Sequence, residues 1–185
     1  GSDGVKNIAF TVHQKACSLA NALKSAGFEI VHNEFFDTIK VAANGHVATI
    51  KANALAKGIN FRYESDAVLI SVDEATTAND LKDVVAVFAN VHGSDTTFMM
   101  SDNTIIEEGY SLKRKSAILT NIVFNKYRSE TDMLRYIKSL ENKDLALNHS
   151  MIALGSCTMK LNATSEMMPL SWPLWNNIHP FAPVD

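Results

Sequence analysis

Residues 59–91 read "INFRYESDAVLISVDEATTANDLKDVVAVFANV", and their order, two short β-type runs and then one helix, decides the fold class. "INFRY" and "AVLISVD" are rich in β-branched and aromatic residues, and the trio Glu64-Ser65-Asp66 between them is turn-forming. Thr77 then precedes a run of helical periodicity, with Asp80 three residues on, the spacing of a capping box. This predicts a helix from about Ala78 to Val91.

Upstream, Val5, Ile8, Ala9, Val12, Ala16, Leu19, Ala20 and Leu23 follow helical spacing, and Gly27 supplies a stop. "FEIVHNEFFDTIKVAA" holds β-rich runs, of which Thr38 to Val41 alternates cleanly, and the alanine-rich His46 to Lys57 predicts a second helix ending at Gly58. Helix, strand, helix, two strands, helix is an α+β domain: a small antiparallel or mixed sheet with helices on one face, over residues 1–92. From His92 the periodicity fades and Gly, Ser, Asp, Asn and Thr accumulate, so 93–128 reads as a connecting segment. Ser129 is then an expected N-cap, with Asp132 in the place of the box's Glu, before a helix whose Met133, Leu134, Ile137 and Leu140 make an apolar stripe.

The last forty residues differ in composition. All four prolines, both tryptophans and four of the seven methionines fall between Ala146 and Asp185, where the only charges are Lys160, Glu166 and Asp185. A segment this apolar is expected to be covered by something, and the expected cover is sequence beyond residue 185.

With 185 residues, 46 % hydrophobic and 20 % charged, the chain has the composition of a globular protein. It holds no run of about 18 apolar residues to cross a bilayer. The formal charge of −3 is evenly spread, with eight basic and ten acidic groups in residues 1–90 and nine and ten in the rest. That argues against a nucleic-acid surface. Two cysteines, Cys17 and Cys157, make no disulfide framework, and no Cys or His pair stands at zinc spacing. "GSDGVKNIAF" lacks the basic-then-apolar pattern of a secretory signal, so an intracellular location is the expectation.

The stretch with most chemical promise is "LGSCTMKLN", residues 154–162. Cys157 is a nucleophile only if His149 or His179 lowers its pKa, and a lone cysteine is more often a small buried hydrophobe. Gly155, Ser156, Cys157 and Thr158 form a donor-rich loop of the kind that meets a phosphate or carboxylate, although it matches neither the Walker nor the dinucleotide pattern. Lys160 would form an imine only if desolvated, and a surface or anion-pairing role is the commoner one. His13, His32, His46 and His92 read as isolated, each a surface or internally satisfied group, and the adjacent Asp73 and Glu74 read as the start of a turn.

The run "SETDMLRYIKSLENKDLALNHSMIALGSCTMKLNATSEMMPLSWPLWNNIHPFAP", Ser129 to Pro183, resembles the glycine cleavage system P-protein family, the pyridoxal-phosphate-dependent glycine dehydrogenases (decarboxylating). "GVKNIAFTVHQKACSLANALKSAGFEIVHNEFFDTIKV", "GINFRY", "LISVDEATTANDL", "KRKSAIL" and "VFNKY" are similar to the same family in the same order. Arg128, Asn121-Ile122 and Ala153 depart from the family's usual His, His-Pro and Pro.

The resemblance implies an internal fragment of a long, fused polypeptide with two fold-type-I halves. Residues 1–92 would be the small α+β domain of the first half, and 129–185 a helix and the incomplete start of the second, cofactor-binding half. The family decarboxylates glycine on pyridoxal phosphate and passes the aminomethyl group to the lipoyl arm of H-protein. Its Schiff-base lysine, in a His-Lys-Thr context, is absent from this chain, so no catalytic residue is assigned and the chain alone is expected to be inactive. Ser156 and Thr158 are the expected donors near substrate or cofactor, with Cys157, Lys160 and Asn162 in the same active-site segment. Expected partners are glycine, lipoylated H-protein, the remainder of the P-protein and a second copy in a homodimer, with neither nucleic acid nor membrane. The implied compartment is the cytoplasm of a bacterium or the mitochondrial matrix. The rival reading is a non-catalytic folding or association module.

Overall fold

The computed structural model describes residues 1–100, 113–146, 148–149, 163–176, 178–179 and 181–182, which divide into two units, Gly1–Thr120 and Asn121–Asp185. In the first unit, helix α1 (Ser2–Ser25) is followed by strand β1 (Thr38–Ala42), helix α2 (Val47–Ala56), strands β2 (Arg62–Tyr63) and β3 (Ala67–Ser71), and helix α3 (Ala78–His92).

The sheet is antiparallel throughout, in the order β1-β3-β2. Ile39 lies opposite Ile70 and Val41 opposite Val68, so the period-2 alternation places four buried apolar side chains on one face. The pair Lys40 and Leu69 takes the other face, where Lys40 Nζ meets Glu64 Oε2 at 2.7 Å. On the buried face, Leu19 and Leu23 of α1, Ile50 and Ala54 of α2, and Leu81, Val85 and Phe88 of α3 complete the core. Phe88 anchors it, meeting Phe28 edge-on at 5.1 Å and Phe61 at 5.8 Å between ring centroids. Phe98, beyond the last helix, is also buried in this core.

The helix ends follow from local sequence. Gly27, at φ 93°, takes a conformation that side chains resist, and lets Phe28 N–H reach Leu23 O and Gly27 N–H reach Lys24 O. This is a Schellman closure, with Phe28 folded back onto the core beside Leu23. At the start of α3 the expected capping box is present in full. Asp80 N–H donates to Thr77 Oγ1 at 3.2 Å, and Thr77 N–H donates to Asp80 Oδ2 at 2.7 Å.

One β-rich run behaves differently from its composition. Between Phe28 and Phe36 only Ile30 pairs, as an isolated bridge to Val41. Phe35 and Phe36 turn instead to the ring of His13 on α1, at 6.2 and 6.0 Å between centroids.

In the second unit, helix α5 (Glu130–Glu141) follows the short helix α4 (Val123–Lys126) and is capped as expected, with Asp132 N–H donating to Ser129 Oγ at 3.1 Å. Tyr127 stacks on Tyr136 at 4.1 Å. Helix α6 (Thr164–Met167), a 3-10 turn (Met168–Ser171) and helix α7 (Pro173–Asn176) follow. The apolar stripe of α5 is exposed, Leu134 by 59 %, and so are Trp172 by 54 % and Trp175 by 66 %. The burial expected of this segment is thus not supplied by the described residues of its own unit.

Candidate functional site

Ser156, Cys157, Thr158, Lys160 and Asn162 lie outside the described residues. Of the two histidines considered as bases for Cys157, His149 closes a turn through its N–H to Ala146 O, and His179 accepts the Phe181 N–H on Nδ1 at 3.0 Å. The described chemistry-bearing groups therefore belong mostly to the first unit.

His13 and Cys17 are i and i+4 on α1 and share a face. His13 is 5 % exposed, and its Nδ1 stands 2.8 Å from Phe36 O, so the proton sits on Nδ1 and is donated to that carbonyl. Cys17 Sγ is 3.4 Å from Nε2 but only 4.0 Å from Nδ1. A sulfur on the Nε2 lone-pair axis would lie much farther from Nδ1, so the thiol sits beside the ring. Burial pushes the Cys17 thiol up, against the opposing charge of Lys24. The pair is thus a packed thiol and an internally bonded histidine, and has neither the alignment nor the acidity of a thiolate nucleophile.

The buried Lys15 belongs to a second cluster. Its ammonium donates to the carbonyls of Asp73 and Glu74, each at 3.3 Å, and to that of Thr76. Asp73 Oδ1 accepts the Thr76 N–H and hydroxyl, both at 2.7 Å. The Thr76 hydroxyl above all, then the Thr76 and Ala75 N–H groups and the charge of Lys15, hold the Asp73 carboxyl below its ordinary range against partial burial. Asp73 and Glu74 thus start a turn, as the sequence suggests, and Asp73 spends its carboxylate inside it.

His46 and His92, which read as isolated, are brought together. The N-cap of α2 and the last residue of α3 meet, with rings at 5.4 Å and 86°, and His92 also lies 4.7 Å from Phe28. His92 thus packs on Phe28 as well as on His46, a contact among rings. Among the described residues no group of three or more His, Cys, Asp or Glu could hold a metal ion. No described helix is long and apolar enough to cross a membrane.

His13 read as isolated, yet it meets Cys17 one helical turn on, a pairing that the i, i+4 spacing on a predicted helix could have signalled. The Lys15 cluster was signalled only by a lysine placed among Val12, Ala16 and Leu19 in an apolar stripe. The His46–His92 pair had no sequence signal, since α2 and α3 meet only in the folded chain.

Comparison with known proteins supplies what the described groups do not. Residues 1–88 match the family model of the glycine cleavage system P-protein. Over its whole length the chain is 50 % identical to a glycine dehydrogenase (decarboxylating) of Christiangramia forsetii, 48 % to one of Shewanella pealeana and 47 % to one of Paraburkholderia xenovorans. The similarity to glycine cleavage system P-proteins and to glycine dehydrogenases (decarboxylating) thus runs along the chain. The chain spans 19 to 20 % of the length of these relatives.

Proposed function

We propose that the chain is a segment of a pyridoxal-phosphate-dependent glycine dehydrogenase (decarboxylating), and that it supplies a scaffold domain and one wall of the active site. The observation that carries this reading is identity of 47 to 50 % along the entire chain to three relatives of that name. In this reading residues 1–92 are the small domain of a fold-type-I half, 93–128 connect, and 129–185 begin the cofactor-binding half. The antiparallel sheet with helices on one face is compatible with such a small domain.

Ser156 and Thr158 are the donors toward substrate or cofactor, and Cys157, Lys160 and Asn162 line the same segment. The whole enzyme acts on glycine, serves lipoylated H-protein and forms a dimer, in the cytoplasm of a bacterium or in the mitochondrial matrix. Pyridoxal phosphate would act as the electron sink for the carbanion left by carbon dioxide. The described residues do not fit that cofactor. Lys15, the buried lysine, spends its ammonium on three carbonyls and is no imine former. They therefore carry no step of its chemistry.

A chimera tests the reading. The 185-residue chain replaces the matching segment of the Christiangramia forsetii enzyme, and glycine-dependent carbon dioxide release is measured with lipoylated H-protein. Retained activity is expected, with loss in the Ser156→Ala, Thr158→Val double variant. A folded chimera that binds pyridoxal phosphate but releases no carbon dioxide would refute the assignment.

The exposure of Leu134, Trp172 and Trp175 favours a second reading, an association module. It predicts concentration-dependent self-association of the isolated chain in sedimentation, and a strictly monomeric species removes it.

A further inference from the structure

The turn between β3 and α3 aims three backbone carbonyls, those of Asp73, Glu74 and Thr76, at one point, and that point is filled by the ammonium of Lys15. We propose that this turn is a cage for one monovalent cation, that the chain fills it with its own lysine, and that the filled cage latches α1 to the start of α3.

Four observations meet here. Lys15 is only 8 % exposed, unusual for a lysine unless its charge is compensated. Its three N–H groups face three acceptors, so the donor count is fully used. The turn holds its shape by bonds that exclude Lys15. Asp73 N–H donates to Thr76 Oγ1, Thr76 N–H and hydroxyl donate to Asp73 Oδ1, and the Thr77–Asp80 box fixes the next residues. The carbonyls therefore converge because of the turn's own bonding, and a ring of carbonyl oxygens is the hard donor set that replaces the hydration of a potassium or ammonium ion. The lysine comes from 58 to 61 residues away in sequence, so its presence there is a tertiary tie and not a local cap.

Two measurements decide the proposal. In the unmodified chain, nitrogen-detected proton exchange at lysine ammonium groups should be about tenfold slower at Lys15 than at the exposed Lys24 and Lys82, as befits a charged donor held by three acceptors. Exchange at Lys15 as fast as at those two overturns the filled cage. In Lys15→Met and Lys15→Gln, thermal melts are taken in tetramethylammonium, potassium and ammonium chloride at equal ionic strength. The expected result is a melting temperature below that of the unmodified chain in tetramethylammonium, recovered in part by potassium or ammonium, with the unmodified chain indifferent to the salt. Variants that melt identically in all three salts, or fold in none, refute a cage able to take a free cation.

Discussion

Replacing Thr77 by Ala removes one hydroxyl that makes two bonds. Thr77 Oγ1 accepts the Asp80 N–H at 3.2 Å and donates to Asp80 Oδ2 at 2.7 Å. The freed N–H is exposed and turns to water, so the loss is that of a cap and not of a buried polar group: about 1 kcal/mol. For a small domain the urea dependence is about 1–3 kcal/mol per molar, so the midpoint followed by circular dichroism should fall by roughly 0.5 M at pH 7. The pH dependence gives a sharper test. Thr77's N–H first and its hydroxyl second hold Asp80 below the ordinary carboxylate range. A depressed carboxylate contributes stability that is full above its unfolded pKa of about 3.9 and is lost as pH falls through the folded value. Part of the hydroxyl's worth is its bond to that carboxylate, so the gap between the two proteins should narrow below about pH 4. A gap that widens on acidification, or an unchanged midpoint at pH 7, refutes the reasoning.

Two further outcomes follow from the first unit. Phe88→Ala empties the site where Phe28 and Phe61 meet and should cost about 3–5 kcal/mol, a large part of a net stability of about 5–15 kcal/mol. Thermal melting should show the transition of the first unit lowered by about 10 °C or more, and a melting point within a degree of the unmodified chain would contradict the core assignment. Cys17, with its thiol raised by burial, should react with iodoacetamide more slowly in the folded chain than in urea at pH 8, as read by peptide mapping. Equal rates would remove the packed-thiol description.

Much of this fold was legible because its helices announce their ends. Thr77 and Asp80 gave the start of α3, Ser129 that of α5, and Gly27 the stop of α1, each through a bond within six residues in sequence. The strand pairing was less legible. "FEIVHNEFF" has strand composition, yet only Ile30 pairs, and Phe35 and Phe36 lie against the ring of His13 instead, a tertiary contact that composition does not report. Periodicity reports which face is apolar but not what covers it. That is why Met133, Leu134, Ile137 and Leu140 could be read as a stripe while their exposure could not.

The same distinction separates scaffold from site. The buried polar groups of the first unit include His13 and Lys15, and both are spent on backbone carbonyls of their own unit, Phe36 in one case and the turn after β3 in the other. Asp73 and Asp80 are likewise committed to threonines within three residues. A group committed to the chain's own backbone cannot also activate a substrate without breaking what it holds, so substitutions at His13, Lys15 or Asp73 should read out in stability. In the chimera, Ser156 and Thr158 should do the reverse, lowering carbon dioxide release while leaving the melting temperature within a degree or so. A stability loss at Ser156 and Thr158 equal to that at Lys15 would move them from the site to the scaffold.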